Sequence, residues 1–324
     1  MSSDPAGADL QSNPHRNALR RRRVAAVIVT YRRALADLTA LLQATVAQVE
    51  TVVVIDNTPA PSVLLDDPRI QCCDVVINGR NVGLAAAQNQ GIALARKHQC
   101  DHVLLLDDDS LPAVDMVERL TAALDRLDAR GERVAAVGPR WHDRHTGRDA
   151  PFVRLGIGRM HNIDCTGRTG DTVECDTLVS SGCLVPLARL DEIGAMDERL
   201  FIDQVDVEWG LRAQAQGFRL YGVCDAVLYH GIGERTVRPW FARGRNVPVH
   251  APLRDYYLVR NIVAVFFLRP APWRWRLVQL LRLPGLVLVI ATQMPPRARR
   301  LRLIARGLAD ALLGRLGPAP AIER

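Results

Sequence analysis

Residues 102–109 read His-Val-Leu-Leu-Leu-Asp-Asp-Asp, a largely apolar run of strand character that ends in three consecutive aspartates. Neighbouring carboxylates repel one another, and ionised groups resist burial beside a hydrophobic strand. A divalent cation with oxygen ligands, often one that also carries phosphates, resolves this conflict. The alternative is a solvated turn in which one aspartate caps a helix that begins near Pro112. The stretch predicts a strand that ends in a cation site or in a capped turn.

The sequence around this stretch alternates short apolar runs with segments of helical spacing. Continuous apolar runs of this length are typical of parallel strands that are covered on both faces. The sequence therefore predicts an α/β fold with a mainly parallel sheet flanked by helices. The predicted strands are residues 24–29, 51–55, 72–77, 102–106 and 134–137, and the predicted helices are residues 35–49, 84–98 and 112–127.

Polar residues follow several of the predicted strands. Ligands of parallel sheets bind at the carboxyl ends of the strands, so Thr30, Tyr31, Asp56 and the three aspartates are expected on one rim. The turn at residues 29–33 reads Val-Thr-Tyr-Arg-Arg and has neither the dinucleotide-binding glycine pattern nor a P-loop. A nucleotide at this rim must therefore be held in another way.

The middle of the chain is less regular. Residues 139–176 are rich in Gly, Arg, Asp and His, and we predict a long, partly irregular segment that lines the site. Strand character returns at residues 177–185, where Gly182 permits close approach of a ligand or backbone. A helix is predicted at residues 203–216, and short strands at 219–223 and 226–229 lead to His230.

The last 90 residues are strongly basic. Residues 235–324 contain 17 Arg, no Lys and three acidic residues, a net charge of +14, whereas residues 1–234 carry −7 of the total +7. Such a region is expected to seek an anionic surface. We reject a membrane-spanning assignment for residues 277–294, because Arg282 and Pro284 interrupt them.

The final predicted helix is amphipathic. Apolar side chains at positions 301, 304, 308, 312 and 316 share one face, with Arg299, Arg302 and Arg306 away from it. This pattern is typical of a basic helix that lies in a membrane surface, and the tryptophans at positions 273 and 275 are of the type found at such an interface. The alternative is a helix packed on the protein body, with its arginines facing water.

The termini and cysteines bear on the compartment. Residues 1–23 have no signal peptide and are predicted as a disordered basic leader. The seven cysteines form no C-x-x-C pair and are odd in number, which predicts reduced thiols in a cytoplasmic protein, several of them in the core, and no zinc site.

A second acidic group lies at residues 201–212, which read Phe-Ile-Asp-Gln-Val-Asp-Val-Glu-Trp-Gly-Leu-Arg. Acidic residues are favoured in the first turn of a helix by the helix dipole alone. A carboxylate near a cation site can also act as a general base, which makes Asp206 a candidate. Arg212 is expected to pair with a neighbouring acid or with a phosphate.

Taken in order, these motifs resemble glycosyltransferase family 2, the inverting type with a GT-A fold. They are Val-Thr-Tyr at 29–31, Val-Ile-Asp-Asn at 54–57, Asn81-x-Gly83, Asn89-x-Gly91, Leu-Asp-Asp-Asp at 106–109, Ser181-Gly182, Val205-Asp206 with Arg212, and His230. Within the family, residues 201–209 and the motif at 250–261 are most similar to bacterial rhamnosyltransferases. The family's common Glu-Asp pair is here Val205-Asp206, which keeps only the aspartate.

The resemblance implies a role for each of these residues. Asp206 is the base, and Asp109 with His230 holds Mg²⁺ or Mn²⁺ beside the diphosphate. The implied donor-binding residues are Thr30 and Tyr31 at the nucleoside, Asp56 at the pyrimidine, Asn81 and Asn89 around the pocket, Asp107 and Asp108 at the ribose and diphosphate, and Arg212. The implied boundaries are a glycosyltransferase domain at residues 24–235 and a helical, membrane-associating region at 236–324.

The expected reaction moves L-rhamnose from dTDP-rhamnose to a lipid-linked or cell-envelope glycan, on the inner face of the cell membrane. One alternative is a galactofuranosyl or other UDP-sugar transferase. A nucleotidyltransferase is less favoured, because the turn at residues 29–33 has no glycine-rich loop. A basic module that binds nucleic acid is disfavoured by the scarcity of aromatic residues for stacking, so no nucleic-acid partner is expected.

Overall fold

The structure is a computed structural model that describes residues 22–60, 62, 64, 70–144, 147–168, 170–230, 236–237 and 247–320. The predicted leader lies outside the described residues apart from Arg22 and Arg23. These two arginines belong to the folded body, since Arg22 pairs with Asp125 and Asp128, and Arg23 with Glu50. The predicted boundary between residues 235 and 236 also falls beside residues outside the described set.

The first half of the chain alternates strands and helices as the hydrophobic pattern predicts. Four neighbouring strands pair in parallel, in the order β4, β1, β2, β3. The elements are β1 (Val24–Thr30), α1 (Leu35–Val46), β2 (Thr51–Asp56), β3 (Asp74–Ile77), α2 (Leu84–Lys97), β4 (His102–Asp107), β5 (Ser110–Pro112) and α3 (Met116–Ala129).

The second half extends the same sheet with strands of both directions. Strand β12 is parallel to β6, whereas β11 is antiparallel to β4 and β6, and β10 is antiparallel to β12. The elements are β6 (Val134–Asp143), β7 (Arg148–Asp149), β8 (Phe152–Leu155), β9 (Met160–Ile163), β10 (Thr172–Cys175), β11 (Leu184–Pro186), α4 (Leu187–Ile193), a 3₁₀ turn (Glu198–Leu200), α5 (Val205–Ala215), β12 (Arg219–His230), β13 (Thr236–Val237) and β14 (Val247–Pro248). The predicted α/β class with a largely parallel sheet is confirmed.

The core fills both faces of this sheet. Successive strand residues point to opposite faces, so Val27 of β1 packs in one apolar cluster and Ile28 in the other. Helix α2 covers the first face, and α1 and α3 cover the second. Gly91 of α2 lies directly over Val27, and a Cβ at this glycine would be 2.2 Å from a Val27 methyl carbon.

Several predicted boundaries were wrong for reasons of long-range pairing. The helix predicted from Pro112 begins at Met116, because residues 110–112 form β5 and pair with the end of β12. The two short strands predicted at 219–223 and 226–229 are one strand, with a shift in register between Val223 and Val227. The segment predicted as strand at 177–185 contributes only its end to β11.

Three helices close the chain: α6 (Pro252–Leu268), α7 (Trp273–Gln293) and α8 (Arg297–Leu312). They pack on the body, because Trp275 and Val278 share an apolar cluster with Leu155 and Leu211. Among the described helices, α7 alone is long and apolar enough to cross a membrane.

Helix α8 is partly buried against α6. Gly307 lies against the backbone of Tyr256, where a Cβ would be 2.6 Å from the carbonyl oxygen. The single apolar face predicted for this helix is divided, because Ile304 is buried while Leu301, Leu308 and Leu312 are exposed. One face of α8 therefore packs on the body, as the alternative of a packed helix with outward arginines predicts. The other face carries a row of exposed leucines.

The cysteines differ in part from the prediction. Cys100, Cys175 and Cys183 are buried free thiols, as expected for core residues. Cys165 and Cys224 form a disulfide, so the expectation of reduced thiols was wrong for this pair. It joins the segment after β9 to β12 at the shift in register, a contact that spacing in the sequence does not reveal.

Candidate active site

The carboxyl ends of β1 and β4 form one side of a cleft. Val29 is in register with Asp107, so the turn after β1 lies beside the three aspartates. The backbone N–H of Tyr31 donates to Asp108 Oδ2 at 3.0 Å, and the Thr30 hydroxyl also bonds to this carboxylate. The predicted meeting of Thr30, Tyr31 and the acidic strand end is therefore present in the fold.

Crowding of like charges perturbs this strand end. Burial raises the pKa of Asp107 to about 7, and the carboxylates of Asp109, Asp108 and Asp206 act in the same direction. Burial also raises the pKa of Asp108, against the effects of the Tyr31 N–H and the Arg33 guanidinium. Four carboxylates are thus close enough to repel one another. A site with this arrangement attracts positive charge.

Asp109 and His230 face each other across this side of the cleft. Asp109 Oδ1 lies 3.4 Å from His230 Nδ1, and this buried oxygen accepts no hydrogen bond from the described residues. Pairing of β5 with β12 produces the approach, because it places Ser110 opposite His230. The imidazole is held by Trp141, whose ring centroid lies 4.5 Å away.

These two residues fit a divalent cation that also binds a diphosphate. In the described part of the chain, no group of three or more His, Cys, Asp or Glu side chains is arranged to hold a metal. A site with only two protein ligands suits Mg²⁺ or Mn²⁺ when phosphate oxygens and waters complete the shell. The feature that favours this assignment is the buried Oδ1 of Asp109, which accepts no hydrogen bond within the described part of the chain.

Asp206 lies in the first turn of α5, on the other side of the cleft. Its Oδ2 accepts from the Ser180 N–H at 3.2 Å, and its Oδ1 accepts from the Val207 N–H at 2.8 Å. Burial raises the pKa of Asp206, whereas these N–H groups and the Arg254 guanidinium act to lower it. A fixed carboxylate with a raised pKa is suited to accept a proton.

The segment that leads into α5 has an unusual backbone. Phe201, Asp203 and Gln204 all have positive φ angles, of 67°, 62° and 62°. The helix predicted from residue 203 begins only at Val205 for this reason. The side chain of Asp203 accepts from Arg254 Nε, at 3.1 and 3.3 Å to its two oxygens.

Asp56 lies on the same rim but is already engaged. It is opposite Thr30 in the sheet and almost fully buried. Its Oδ1 accepts from the Thr58 N–H at 2.8 Å, and its Oδ2 accepts from the Ser62 hydroxyl at 2.5 Å. A carboxylate has about four acceptor positions, so a further bond to a pyrimidine ring is chemically available.

Two of the expected donor residues instead organise the backbone around the cleft. Asn81 Oδ1 accepts from the Gly83 N–H, which fixes the turn into α2. Asn89 exchanges hydrogen bonds with the backbone of Met196 and donates to Glu198. Both contacts shape the walls of the site through the backbone, and a direct contact with the donor stays a prediction.

Arg212 has contacts that support a structural role. Its guanidinium binds both oxygens of Glu208 at 3.0 Å and donates at 2.8 Å to the carbonyl oxygens of Ile193 and Ala195. The first alternative for this residue, pairing with a neighbouring acid, is therefore observed. These bonds use four of the five N–H groups of the guanidinium, and a contact of Arg212 with the donor stays a prediction.

Sequence reasoning gave no chemical role to two cations of the cleft. Arg33 Nε donates to the Asp108 carbonyl oxygen at 3.0 Å, and its Nη2 lies 4.0 Å from Asp109. Arg254 comes from α6, and its positive charge opposes the burial that raises the pKa values of Asp107 and Asp206. Its position in the motif at residues 250–261 is the only signal that could have suggested it.

Sequence comparison places these features in a known family. Residues 25–178 match the model of Glycosyl transferase family 2. The chain is 33% identical over 238 residues to the dTDP-rhamnosyl transferase RfbF of Shigella flexneri, a match that covers 73% of this chain and 77% of that relative.

Solved structures share the fold at low identity. Residues 1–349 of S. aureus TarS, in complex with UDP-GlcNAc, match with a TM-score of 0.54 and 13% identity, over 89% of this chain and 81% of that one. GalNAc-T7 with UDP, GalNAc and Mn²⁺ matches with a TM-score of 0.55 and 14% identity, over 88% of this chain, which spans 55% of that protein. These structural similarities support the GT-A fold. The family match and the similarity to the Shigella relative show the family: the chain belongs to glycosyl transferase family 2 and is a glycosyltransferase.

Proposed function

We propose that this glycosyltransferase transfers L-rhamnose from dTDP-rhamnose to a hydroxyl group of a glycan, with inversion at the anomeric carbon. The choice of sugar is supported by the 33% identity to a dTDP-rhamnosyl transferase. The reaction type is supported by one observation: the adjacent residues Ser180 and Ser181 join Asp206 to the acidic strand end, since the Ser180 N–H donates to Asp206 Oδ2 at 3.2 Å and the Ser181 hydroxyl accepts from the Asp107 N–H at 3.0 Å.

Asp206 would accept the proton of the acceptor hydroxyl. As that oxygen attacks the anomeric carbon, the bond from this carbon to the diphosphate breaks and dTDP departs with the electron pair. A single displacement of this kind inverts the configuration, by the same logic as in inverting glycoside hydrolases. The raised pKa of Asp206 strengthens its ionised carboxylate as a base.

The strand-end residues would bind the donor. Thr30 and Tyr31 lie beside Asp108, where the nucleoside is expected, and Asp107 and Asp108 border the positions of ribose and diphosphate. Asp109 and His230 would hold Mg²⁺ or Mn²⁺, which when bound would neutralise the charge of the leaving diphosphate.

The acceptor is proposed to be lipid-linked or part of the cell envelope, with the enzyme bound to the inner face of the membrane. Support comes from exposed apolar side chains on the last two helices: Trp273, Leu280, Leu281 and Leu288 on α7, and Leu301, Leu308 and Leu312 on α8. Exposed arginines accompany them, among them Arg274, Arg297, Arg302 and Arg306. Apolar and cationic groups on one region match an anionic lipid surface.

A donor screen tests the proposed reaction. Release of nucleotide diphosphate should be fastest with dTDP-rhamnose when it is compared with UDP-galactofuranose and UDP-GlcNAc, each with Mg²⁺ or Mn²⁺. Asp206→Asn serves as the control for release that does not depend on the active site. Faster turnover of a UDP-sugar would overturn the assignment of rhamnose and would leave the glycosyltransferase assignment in place.

A further inference from the structure

The segment before α5 is held in a conformation that its own residues disfavour. Phe201, Asp203 and Gln204 account for three of the five non-glycine residues with positive φ in the described part of the chain. L-residues seldom adopt this region, and a bulky aromatic residue such as Phe201 is especially rare there. Such conformations persist only where surrounding contacts impose them, and they concentrate at functional sites.

Two adjacent side chains of α6 impose this conformation. Asn261 Nδ2 donates to the carbonyl oxygens of Leu200, Ile202 and Asp203, at 2.8, 2.7 and 2.9 Å. Arg260 Nη2 donates to the Leu200 carbonyl oxygen at 2.9 Å. Three carbonyl groups within residues 200–203 are therefore bonded to one side chain of α6.

Arg260 is buried, and none of the described carboxylates forms an ion pair with it. Both Arg260 and Asn261 have no solvent exposure, and no ion pair of Arg260 is found among the described residues. Its guanidinium donates instead to Asn261 Oδ1 at 2.9 Å and to the Gly317 carbonyl oxygen at 2.5 Å, and it lies over the Tyr257 ring. A buried charge is costly to maintain, so its use to orient Asn261 and a backbone turn calls for a functional reason.

The opposite side of the segment is fixed by α2. The Leu84 N–H, at the start of that helix, donates to the Phe201 carbonyl oxygen at 2.6 Å. The Phe201 ring fills the space beside Gly83 and stacks on Tyr257 with a centroid distance of 5.0 Å. The segment is thus bound between α2 and α6, and Asp206 follows two residues after its last strained position.

We propose that Arg260 and Asn261 are positioning residues for glycosyl transfer, which hold residues 200–204 so that Asp206 is presented to the acceptor hydroxyl. This inference rests on the proposed role of Asp206 as the base. The inference makes α6 part of the catalytic unit, although neither Arg260 nor Asn261 contacts the reacting atoms. The donor side of the cleft is built separately on β1 and β4, so the pair should affect turnover more than donor binding.

The test compares Asn261→Ser with a matched variant of the same helix. Asn261→Ser should lower kcat about 10-fold to 100-fold, which is at most the smallest loss expected when a general base is removed, and change the KM for the donor less than about twofold. Asp255→Asn weakens another buried contact of α6, the ion pair with Arg300 of α8, and the contacts of Asp255 with the described residues do not include residues 200–204. It should lower the melting temperature and leave kcat unchanged.

A second substitution separates positioning from loss of folding. Glycine adopts positive φ without penalty, so adding Gln204→Gly to Asn261→Ser should restore at least part of kcat without restoring the lost hydrogen bonds. Arg260→Lys, which keeps the charge but loses the planar fork, carries the same expectation for kcat and is used if Asn261→Ser does not fold. A normal kcat in the folded variant, or a rise in KM alone, would overturn the inference.

The outcome is distinguishable from failure of the proposed function. If Asp206→Asn remains active, the assignment of the base fails whatever the α6 variants do. If Asp206→Asn is inactive while Asn261→Ser turns over normally, only the positioning role fails.

Discussion

The two sides of the cleft are built in different ways. The donor side consists of neighbouring parallel strands, and its residues follow directly from strand ends at 29–31 and 106–109. The base side depends on α6, because Asn261 and Arg254 contact the segment before Asp206 from more than 50 residues further along the chain. The comparison teaches that local motifs can gather the proposed donor-binding residues, whereas the proposed base follows a segment that is bonded to a distant helix.

The largest expected effect is on the base side. Asp206→Asn should lower kcat about 10²-fold to 10⁴-fold, because no other group would take the acceptor proton. Donor affinity should stay within a few-fold, since the proposed donor-binding residues lie at the ends of β1, β2 and β4. The measurements are nucleotide diphosphate release and calorimetric binding of dTDP-rhamnose. Loss of donor binding would show instead that Asp206 maintains the structure of the cleft.

The donor side is tested at its proposed metal ligand. Asp109→Ala should weaken metal-dependent donor binding by at least about 100-fold, because substitution of even an outer-shell partner of a metal ligand costs about 10-fold to 100-fold. Calorimetry with dTDP-rhamnose is run with Mn²⁺ and after chelation. If the variant and the parent show the same difference between these two conditions, Asp109 does not hold the cation.

The exposed leucine row of α8 gives a smaller effect. Deletion of α8 would be a poor test, because the buried pair of Arg300 with Asp255 and the packing of Ile304 belong to the folded body. Leu308→Glu with Leu312→Glu should reduce co-sedimentation with phosphatidylglycerol-containing vesicles about 10-fold or more, from the lost apolar burial.

Val46→Glu with Val114→Glu is the matched control for this membrane test. Both valines are exposed and lie outside the last two helices, and the double variant receives the same added charge. It should co-sediment like the parent protein. Equal binding of the α8 variant and this control would exclude the leucine row as a membrane contact.

The smallest expected effect is a shift in the pH profile of kcat. Burial raises the pKa of Asp206, so the ionised base is lost as pH falls through a value above the ordinary aspartate range, and kcat falls with it. Arg254 lowers this pKa, so Arg254→Met should raise it and move the acid limb of the kcat profile to higher pH. A limb that stays in place or moves to lower pH would contradict the electrostatic role of Arg254.

Much of the fold could be predicted because its signals are local. The apolar runs gave β1, β2 and β4 to within one residue or two, and the helical spacing gave α2. Strand β5 could not be foreseen, since three residues after the aspartates have no strand signal until β12 pairs with them. The disulfide between Cys165 and Cys224 was missed for the same reason, because it joins residues 59 apart.

The candidate site was foreseen unevenly. The aspartates at 107–109, Asp206 and His230 were identified as chemistry-bearing residues, and the structure brings Asp109 to His230. Arg212 was assigned to the donor because spacing does not reveal that Glu208 and two backbone carbonyls occupy its guanidinium. Arg33 was overlooked, because its approach to Asp108 and Asp109 requires the neighbouring register of β1 and β4.

The sequence by itself determined that acidic residues end the strands of a parallel sheet, since hydrophobic periodicity and the residues that follow it are properties of short segments. Only the tertiary structure decided which side chains share the cleft. The partners of Asp109, Asp203 and the strained backbone before α5 come from residues 51 to 121 positions away. Their approach is set by the packing of whole helices and strands, which no local pattern encodes.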